Sequence, residues 1–246
     1  MFRFKRFTIE QDACPMKVGT DGVLLGAWVA LGAADRLLLD VGTGTGVIAL
    51  MLAQRSPAAG VTALDIDAAC AEQARANADR SPWGGRVTTC CAPVQEYRPE
   101  EPFDLVVSNP PYYDRSLLPP DAGRTTARHT VALTHGELIA AACRLLAPEG
   151  RLAVILPAVE AQRFREQARG RLALRRLTEV WSTPRSGVKR CLMEFVRGDA
   201  AEFRTDRLVI EEAPGRFTEE YRRLTGDFYL KFCSGRANGY ICESTN

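Results

Sequence analysis

The sequence predicts an α/β fold in which a mostly parallel β-sheet carries helices on both of its faces. Short apolar runs alternate with helix-length segments from residue 36 onward, and repeated β-then-α units of this kind form parallel sheets with right-handed crossovers. The 246 residues are 46% hydrophobic and 25% charged, which is typical of a globular chain and excludes a wholly disordered or collagen-like one. A chain of this length can bury a sizeable core without disulfide staples.

The predicted elements follow one another in a regular order. Residues 22–34 form an uncharged stretch that is too short to span a bilayer and is predicted to be a buried helix. Continuous apolar character predicts a buried strand at 37–41, followed by a glycine-rich turn and a helix at 47–53. Further strands are predicted at 61–65, 86–91, 103–108, 151–156 and 190–196, with helices at 67–78 and 136–146, a turn at 148–150 and an N-cap at Asp67. Residues 199–246 are less periodic and are predicted to form an appended extension with some helix.

The cysteine and histidine content excludes several kinds of site. The eight cysteines contain no C-x-x-C pair, and with only two histidines the chain cannot assemble a zinc-binding spacing. The N-terminus alternates aromatic and basic residues and lacks the apolar block of a secretory signal. We therefore expect a cytoplasmic protein with reduced thiols, no metal site and no membrane association.

The positive charge is concentrated in one part of the chain. Residues 163–190 hold nine basic and two acidic side chains, although the net charge of the whole chain is only +2. Such clustering suits a polyanion, because concentrated cations gain from the release of counterions from phosphates. A solvated helix face is the other interpretation of the same feature.

A glycine loop follows the first predicted strand. Glycines let the backbone turn tightly and approach a ligand, and they stand here at three alternate positions, Gly42, Gly44 and Gly46. A dinucleotide-binding loop would need its third glycine at position 47, where this chain has valine. The loop begins with the carboxylate of Asp40, which suits a ligand with a cationic amino-acid end, such as S-adenosylmethionine, better than a pyrophosphate. A tight structural turn is the alternative interpretation.

Polar residues also follow the ends of two other predicted strands. Asp65 stands 23 residues after Gly42, near the spacing at which a carboxylate reaches ribose hydroxyls, although a helix N-cap is an alternative role for an acid there. Asn109, Pro110, Pro111 and Tyr112 follow the strand at 103–108 and are expected to meet the same crevice.

The Asn-Pro-Pro-Tyr segment suits a particular chemical problem. A conjugated amino nitrogen is a weak nucleophile because its lone pair is delocalised. The side-chain oxygen of Asn109 and the carbonyl of Pro110 can accept both of its N–H groups and draw the lone pair toward a methyl donor. Tyr112 can stack on a planar group. A sharp turn after a strand is the structural alternative.

The motifs at 40–46, 65 and 109–112 resemble those of class I S-adenosylmethionine-dependent methyltransferases that methylate amino groups. Further segments at 4–12, 16–28, 127–130 and 224–232 are similar to the bacterial family of tRNA(Val) adenine-N6 methyltransferases, which modify position 37 beside the anticodon. The resemblance covers nearly the whole chain. It implies a single Rossmann-like domain over 1–246 with a seven-stranded sheet, comprising an N-terminal lid at 1–36, a core at 37–198 and a C-terminal extension at 199–246.

The resemblance also implies roles for individual residues. Catalysis is expected from Asn109, Pro110 and Tyr112. The cofactor S-adenosylmethionine is expected to contact Gly19, Thr20, Asp21, Asp40, Gly42, Gly44, Gly46, Asp65, Ala92 and Asn109. Many relatives place an acid after the third strand to meet the adenine of the cofactor, whereas this chain has Pro93 there. Backbone groups near Cys91 and Ala92 are expected to take over that contact.

A tRNA substrate would give the basic residues a role. The anticodon arm is expected to be held through its phosphates by Lys5, Arg6, Lys17, Arg128, Arg175, Arg176, Lys189 and Arg190. The target adenine would leave its stack to enter the pocket. A protein glutamine amide and guanine N2 of RNA are alternative methyl acceptors, and a nucleic-acid-binding protein that has lost catalysis is an alternative class. We expect a monomer.

Overall fold

The computed structural model describes residues 1–110 and 133–231, and its centre is a sheet of eight strands. In chain order the strands are β1 (Phe2–Arg3), β2 (Thr8–Ile9), β3 (Leu37–Val41), β4 (Gly60–Asp65), β5 (Val87–Cys91), β6 (Phe103–Ser108), β7 (Leu146–Pro157), β8 (Leu172–Trp181), β9 (Val188–Arg197), β10 (Arg204–Val209), β11 (Glu211–Ala213) and β12 (Arg216–Phe217). The order across the large sheet is β10-β8-β9-β7-β6-β3-β4-β5. Two small antiparallel pairs, β1 with β2 and β11 with β12, lie outside it.

The large sheet is mostly parallel, as predicted. β9 runs antiparallel to both of its neighbours, and every other neighbouring pair is parallel. The carboxyl ends of β3, β4 and β6 therefore meet at one edge of the sheet, where ligands bind in folds of this type. The predicted α/β class with a Rossmann-like sheet is confirmed.

Helices pack on both faces of the sheet. They are α1 (Thr20–Trp28), α2 (Val47–Arg55), α3 (Ala68–Asp79), α4 (His135–Leu145), α5 (Ala158–Ala168) and α6 (Glu219–Thr225), with a 3₁₀ turn at Gly84–Arg86. Leu38 and Leu39 on β3 are both fully buried and point to opposite faces, because side chains alternate along a strand. Leu38 packs in the core that contains α1 and α2, and Leu39 in the core that contains α4 and α5.

Side-chain caps explain where two helices begin. Asp67 accepts hydrogen bonds from the amides of Ala69 and Cys70 at 2.7 and 3.2 Å, which confirms the predicted N-cap of α3. Thr134 and Glu137 form a reciprocal capping box at the start of α4. The first predicted helix is shorter than expected, since α1 ends at Trp28 and a turn closed by Asp35 follows, with the Gly32 amide donating to its carboxylate at 2.7 Å.

The sheet has eight strands instead of the expected seven, and two of them were absent from the predicted elements. β8 lies inside the basic stretch, and arginines interrupt its apolar pattern at 175 and 176. β10 is an edge strand whose first four residues are exposed, so its sequence lacks the apolar pattern by which a buried strand is identified. The predicted turn at 148–150 lies within β7, where it makes an irregularity in the pairing with β6 between Leu146 and Arg151.

The N-terminal and C-terminal segments contact each other. The Lys5 amide donates to the Phe228 carbonyl at 2.8 Å, and the rings of Phe4 and Tyr229 stack with centroids 6.1 Å apart. β10 belongs to the segment expected as an extension, yet it pairs with β8 in the main sheet. None of the helices in residues 1–110 and 133–231 has the length and apolar character needed to cross a bilayer.

Candidate active site

A cavity of about 570 Å³ opens at the sheet edge where β3, β4 and β6 end. Its volume is within the usual range for sites that bind small molecules. Most of the residues predicted to contact the cofactor line it together with Pro110, namely Gly19, Thr20, Asp21, Gly42, Gly44, Asp65, Ala92 and Asn109. The topology therefore brings together residues from positions 19 to 110 of the chain.

The glycine loop forms one wall of this cavity. Gly42 and Gly44 have φ angles of 72° and 55°, which favour glycine, and no atom lies within 4 Å of where a Cβ would stand on either residue. The amides of Gly42 and Thr43 donate to the Leu64 carbonyl at 2.8 and 3.0 Å, so β4 holds the loop in place. The space over these two glycines is open to a ligand.

Asp40 lies behind the loop and does not line the cavity, contrary to the expectation of direct cofactor contact. Its Oδ2 accepts hydrogen bonds from the Thr43 hydroxyl at 2.6 Å and the Ala49 amide at 3.2 Å. Complete burial raises the pKa of Asp40 to about 7, and the two hydrogen bonds only partly oppose that shift. Asp40 thus connects the loop to α2.

Gly46 is also absent from the cavity lining. Its φ is 81°, and a Cβ on it would stand 3.2 Å from Cβ of Ala74 and 3.3 Å from its Cα. This glycine therefore allows the start of α2 to pass close to α3. Its role is to support the loop through packing.

Asp65 fixes the loop from the end of β4 and lines the cavity. Its Oδ2 accepts a hydrogen bond from the Gly44 amide at 2.8 Å, and its Oδ1 accepts one from the Asp67 amide at 3.0 Å. Each carboxylate oxygen can accept a further hydrogen bond. The side chain is half-buried, so both oxygens are held in position beside the open space over the glycines.

The cavity lining includes exposed apolar side chains that were not among the predicted site residues. Met16 and Ile66 are 56% and 43% exposed and both line the cavity. Ile66 directly follows Asp65 at the end of a strand, and this position is the signal that identifies it. Covering such side chains with a ligand removes apolar surface from water.

The N-terminus of α1 forms another side of the cavity. Gly19 is its N-cap and provides no side-chain cap, while Thr20 and Asp21 of its first turn line the cavity. The Nε of Arg190 donates to Oδ2 of Asp21 at 2.7 Å. Arg190 was predicted to bind RNA, and the structure places it in the cavity wall.

Ala92, whose backbone was expected to help contact the adenine of the cofactor, lines the cavity. Its amide donates to the Asp65 carbonyl at 2.9 Å, whereas an adenine amine needs an acceptor, which is the role of a backbone carbonyl. Pro93 and Gln95 also line the cavity, and Gln95 is half-buried. Gln95 was not among the predicted site residues, although it provides a side-chain amide two residues after Pro93, which stands where many relatives have an acid.

Asn109 and Pro110 lie where β6 meets the cavity. The preceding residue, Ser108, is fully buried, and its hydroxyl donates to the Val41 carbonyl at 2.8 Å. That hydrogen bond connects the end of β6 to the start of the glycine loop. Asn109 is half-buried, Pro110 is buried, and both line the cavity. Tyr112 lies outside the described residues, as does Arg128.

The structure separates the remaining basic residues that were predicted to bind RNA. Lys17 lines the cavity, and its ammonium donates to the carbonyls of Gln11 and Cys14. Arg176 stacks on the Trp28 ring at 4.2 Å and pairs with Asp206 at 3.7 Å. Both cations therefore have intramolecular partners.

The N-terminal basic residues lie away from the cavity. Lys5 donates to the Gly226 carbonyl, and Arg6 lies over the Trp83 ring at 5.5 Å. Asp67 at the N-terminus of α3 lines the cavity, and Trp83 follows the opposite end of this helix. A helix of this length is about 18 Å long, which separates Arg6 from the cavity. Arg175 is exposed on β8, and Lys189 is exposed next to Arg190 on β9.

Comparison with known proteins identifies the family. The model of the methyltransferase small domain matches residues 23–167. The curated tRNA1(Val) (adenine(37)-N6)-methyltransferase of Flavobacterium johnsoniae is 44% identical over 94% of this chain and 100% of its own length. The Porphyromonas gingivalis enzyme of the same name is 46% identical over 93% of this chain and 94% of its own. The chain belongs to this family of methyltransferases. The resemblance that its motifs indicated is confirmed.

Solved structures agree with the fold. A predicted O-methyltransferase from Agrobacterium tumefaciens superposes with a TM-score of 0.68 at 22% identity, covering 85% of this methyltransferase and 96% of that chain. A glycopeptide N-methyltransferase solved with S-adenosylmethionine gives a TM-score of 0.55 at 15% identity, covering 75% of this chain and 98% of that one. At these identities the likeness concerns the fold alone.

The methyl donor that the sequence motifs predict is S-adenosylmethionine, which the solved glycopeptide N-methyltransferase contains. The cavity residues fit it, because the space over Gly42 and Gly44 is open and Asp65 offers carboxylate oxygens to hydroxyl groups. Met16 and Ile66 offer apolar surface to a ring. No group of three His, Cys, Asp or Glu side chains in the described part of the chain is arranged to hold a metal ion.

Proposed function

We propose that this enzyme methylates N6 of adenine 37 in the anticodon loop of tRNA(Val). The observation that carries the proposal is the position of Asn109 and Pro110 in the wall of the cavity that also contains Asp65 and the glycine loop. The curated relatives, which align with this chain over nearly their whole length, bear the name of that activity. We also propose a cytoplasmic location, which suits a tRNA substrate, and a monomeric state.

The residues of the chain prepare the acceptor nitrogen. We assign the Oδ1 of Asn109 and the carbonyl of Pro110 to accept the two N–H groups of the adenine amine. These acceptors reduce delocalisation of the nitrogen lone pair, and they stabilise the positive charge that develops on nitrogen during transfer. The Ser108 hydrogen bond fixes the end of β6, and the proline ring restricts the backbone at 110, so the backbone that carries both acceptors needs little reorganisation.

Bound S-adenosylmethionine supplies an electrophilic methyl group on a sulfonium. Asp65, the N-terminus of α1 and the glycine loop are assigned to hold it, so that alignment of donor and acceptor provides much of the rate. No side chain is needed as a strong base, since the methylated nitrogen is acidic and can release its proton to water.

The proposal is tested by giving the purified enzyme labelled methyl donor with unmodified tRNA and, separately, with ribosomal RNA and protein fractions. We expect label only in tRNA, and nucleoside digestion should yield N6-methyladenosine. Label in N2-methylguanosine or in a protein glutamine would instead establish one of the two alternative acceptors. The N109A variant is the matched control for contaminating activity.

A further inference from the structure

We propose that the β8–β9 hairpin, residues 181–190, is the surface that holds the phosphate backbone of the RNA substrate, with Arg185 and Lys189 as its phosphate contacts. The inference rests on the proposed function, because it requires that the methyl acceptor belongs to an RNA. It keeps the predicted contact Lys189, adds Arg185, and leaves out Arg176, which has internal partners.

The sheet topology places the hairpin beside the cavity. Arg190 on β9 pairs in register with Pro157 at the carboxyl end of β7, and Trp181 at the end of β8 pairs with Val188. The hairpin therefore projects from the same sheet edge as the cavity. Arg190 itself lines the cavity, and Lys189 precedes it in the chain. A polynucleotide whose base enters the cavity thus has its backbone next to the hairpin.

Contacts within the hairpin hold its shape. The Ser186 amide donates to the Thr183 carbonyl at 3.1 Å, and the Thr183 amide donates to the Ser186 hydroxyl at 3.2 Å. From β10, the Nη2 of Arg207 donates to the Pro184 carbonyl at 3.0 Å, and the same guanidinium stacks on the Trp181 ring at 4.1 Å. A surface held in this way loses little conformational entropy when it binds a partner.

The cations of the hairpin are available to a ligand. Arg185 and Lys189 are exposed, and neither forms an ion pair with any residue in the described ranges. In contrast, Arg176 is used internally by Trp28 and Asp206. The hairpin displays no large exposed apolar side chain, so it offers nothing to insert into a lipid surface, whereas phosphates of a nucleic acid suit two free cations.

A second basic surface provides the comparison. Arg165, Arg169 and Arg171 surround a smaller cavity of about 500 Å³ near the first residue of β8, Leu172. Because β8 has ten residues, this surface lies roughly 30 Å from the hairpin, at the opposite edge of the sheet. Its position does not suit an RNA whose base occupies the active-site cavity.

The experiment compares two double variants with the same loss of charge. Arg185→Gln with Lys189→Gln removes the hairpin cations, and Arg169→Gln with Arg171→Gln removes two cations at the opposite edge. Binding of an anticodon stem-loop RNA is measured over a series of salt concentrations, together with methylation of full-length tRNA and binding of S-adenosylmethionine. We expect the hairpin variant to lower the slope of log affinity against log salt by about 2 and to raise the KM for tRNA.

The comparison variant should leave that slope and the KM unchanged, and both variants should bind the cofactor as the wild type does. Equal slopes for the wild type and the hairpin variant would overturn the inference. In that case methylation of tRNA by the wild type would still support the proposed function. A reduced slope in the comparison variant alone would also overturn the inference, because it would show that the RNA binds at the opposite edge of the sheet. A wild type that does not methylate tRNA would overturn the proposed function and this inference together.

Discussion

The Oδ2 of Asp65 accepts a hydrogen bond from the Gly44 amide at 2.8 Å, so the end of β4 holds the glycine loop at the cavity. The same side chain lines the cavity that we propose to hold the cofactor. Asp65 therefore has a structural role in the loop and, under the proposed function, a binding role as well.

Replacement of Asp65 by alanine is expected to weaken binding of S-adenosylmethionine. The variant loses hydrogen bonds made to a charged group, each of which contributes about 1.5–3 kcal/mol, so the dissociation constant should rise at least tenfold. Isothermal titration calorimetry measures it. D79A, which removes an exposed carboxylate from the far end of α3, is the control and should bind as the wild type does. An unaltered affinity in D65A would contradict the binding role.

Replacement of Asn109 by alanine is expected to lower kcat by roughly 10²–10³ and to weaken S-adenosylmethionine binding much less than D65A does. The variant removes one of two acceptors from the reacting amine, and the glycine loop and Asp65 are untouched. N109D keeps an oxygen acceptor of the same size and should retain more activity than N109A. Single-turnover rates separate the methyl transfer step from product release. A rate above half that of the wild type in N109A would rule out the acceptor pair.

Much of the site could be predicted from the sequence because its residues follow strand ends. Asp65 and Asn109 come directly after apolar runs, and parallel strands bring their carboxyl ends to one edge. The sequence does not show which side of a loop a side chain occupies. Asp40 and Gly46 fit the motif as well as Gly42 does, but they pack against α2 and α3 instead of facing the cavity.

The positions of the basic residues were less predictable, because the sequence does not show on which side of the fold a charged side chain lies. The stretch at 163–190 is one block along the chain, but in the structure α5, β8 and the hairpin distribute it to opposite edges of the sheet. The internal contacts of Arg176 could not be predicted either, since its partners Trp28 and Asp206 are distant in sequence. β8 and β10 escaped prediction because exposed residues interrupt the apolar pattern that identified the buried strands.

Gly46→Ala is expected to destabilise the fold more than Gly170→Ala does. Both glycines have positive φ, at 81° and 75°, so alanine pays a similar backbone cost of about 1–2 kcal/mol at either position. Only at Gly46 does the new methyl group meet Ala74, at 3.2 Å, while nothing lies within 4 Å at Gly170. Urea unfolding of the two variants measures the difference. Equal urea midpoints for the two variants would show that α3 can move away from the new methyl group at position 46 without loss of stability.

Asp40→Asn is expected to make the stability of the protein less sensitive to rising pH. The pKa of Asp40 is about 7 in the folded protein because the carboxyl is completely buried, whereas an aspartate in the unfolded chain has a pKa of about 3.9. The folded state thus holds this proton more tightly, and the stability it contributes is complete below pH 4 and is lost as the pH rises through 7. Asparagine cannot titrate and still offers an oxygen to Thr43 and Ala49. We compare the free energies of unfolding as a difference, D40N minus wild type, because the titration of groups common to both proteins then cancels. This difference should increase from pH 4 to pH 7 and level off above about pH 8. Urea unfolding across this pH range measures it, and a difference that stays constant would show that the carboxyl is ionised in the folded core.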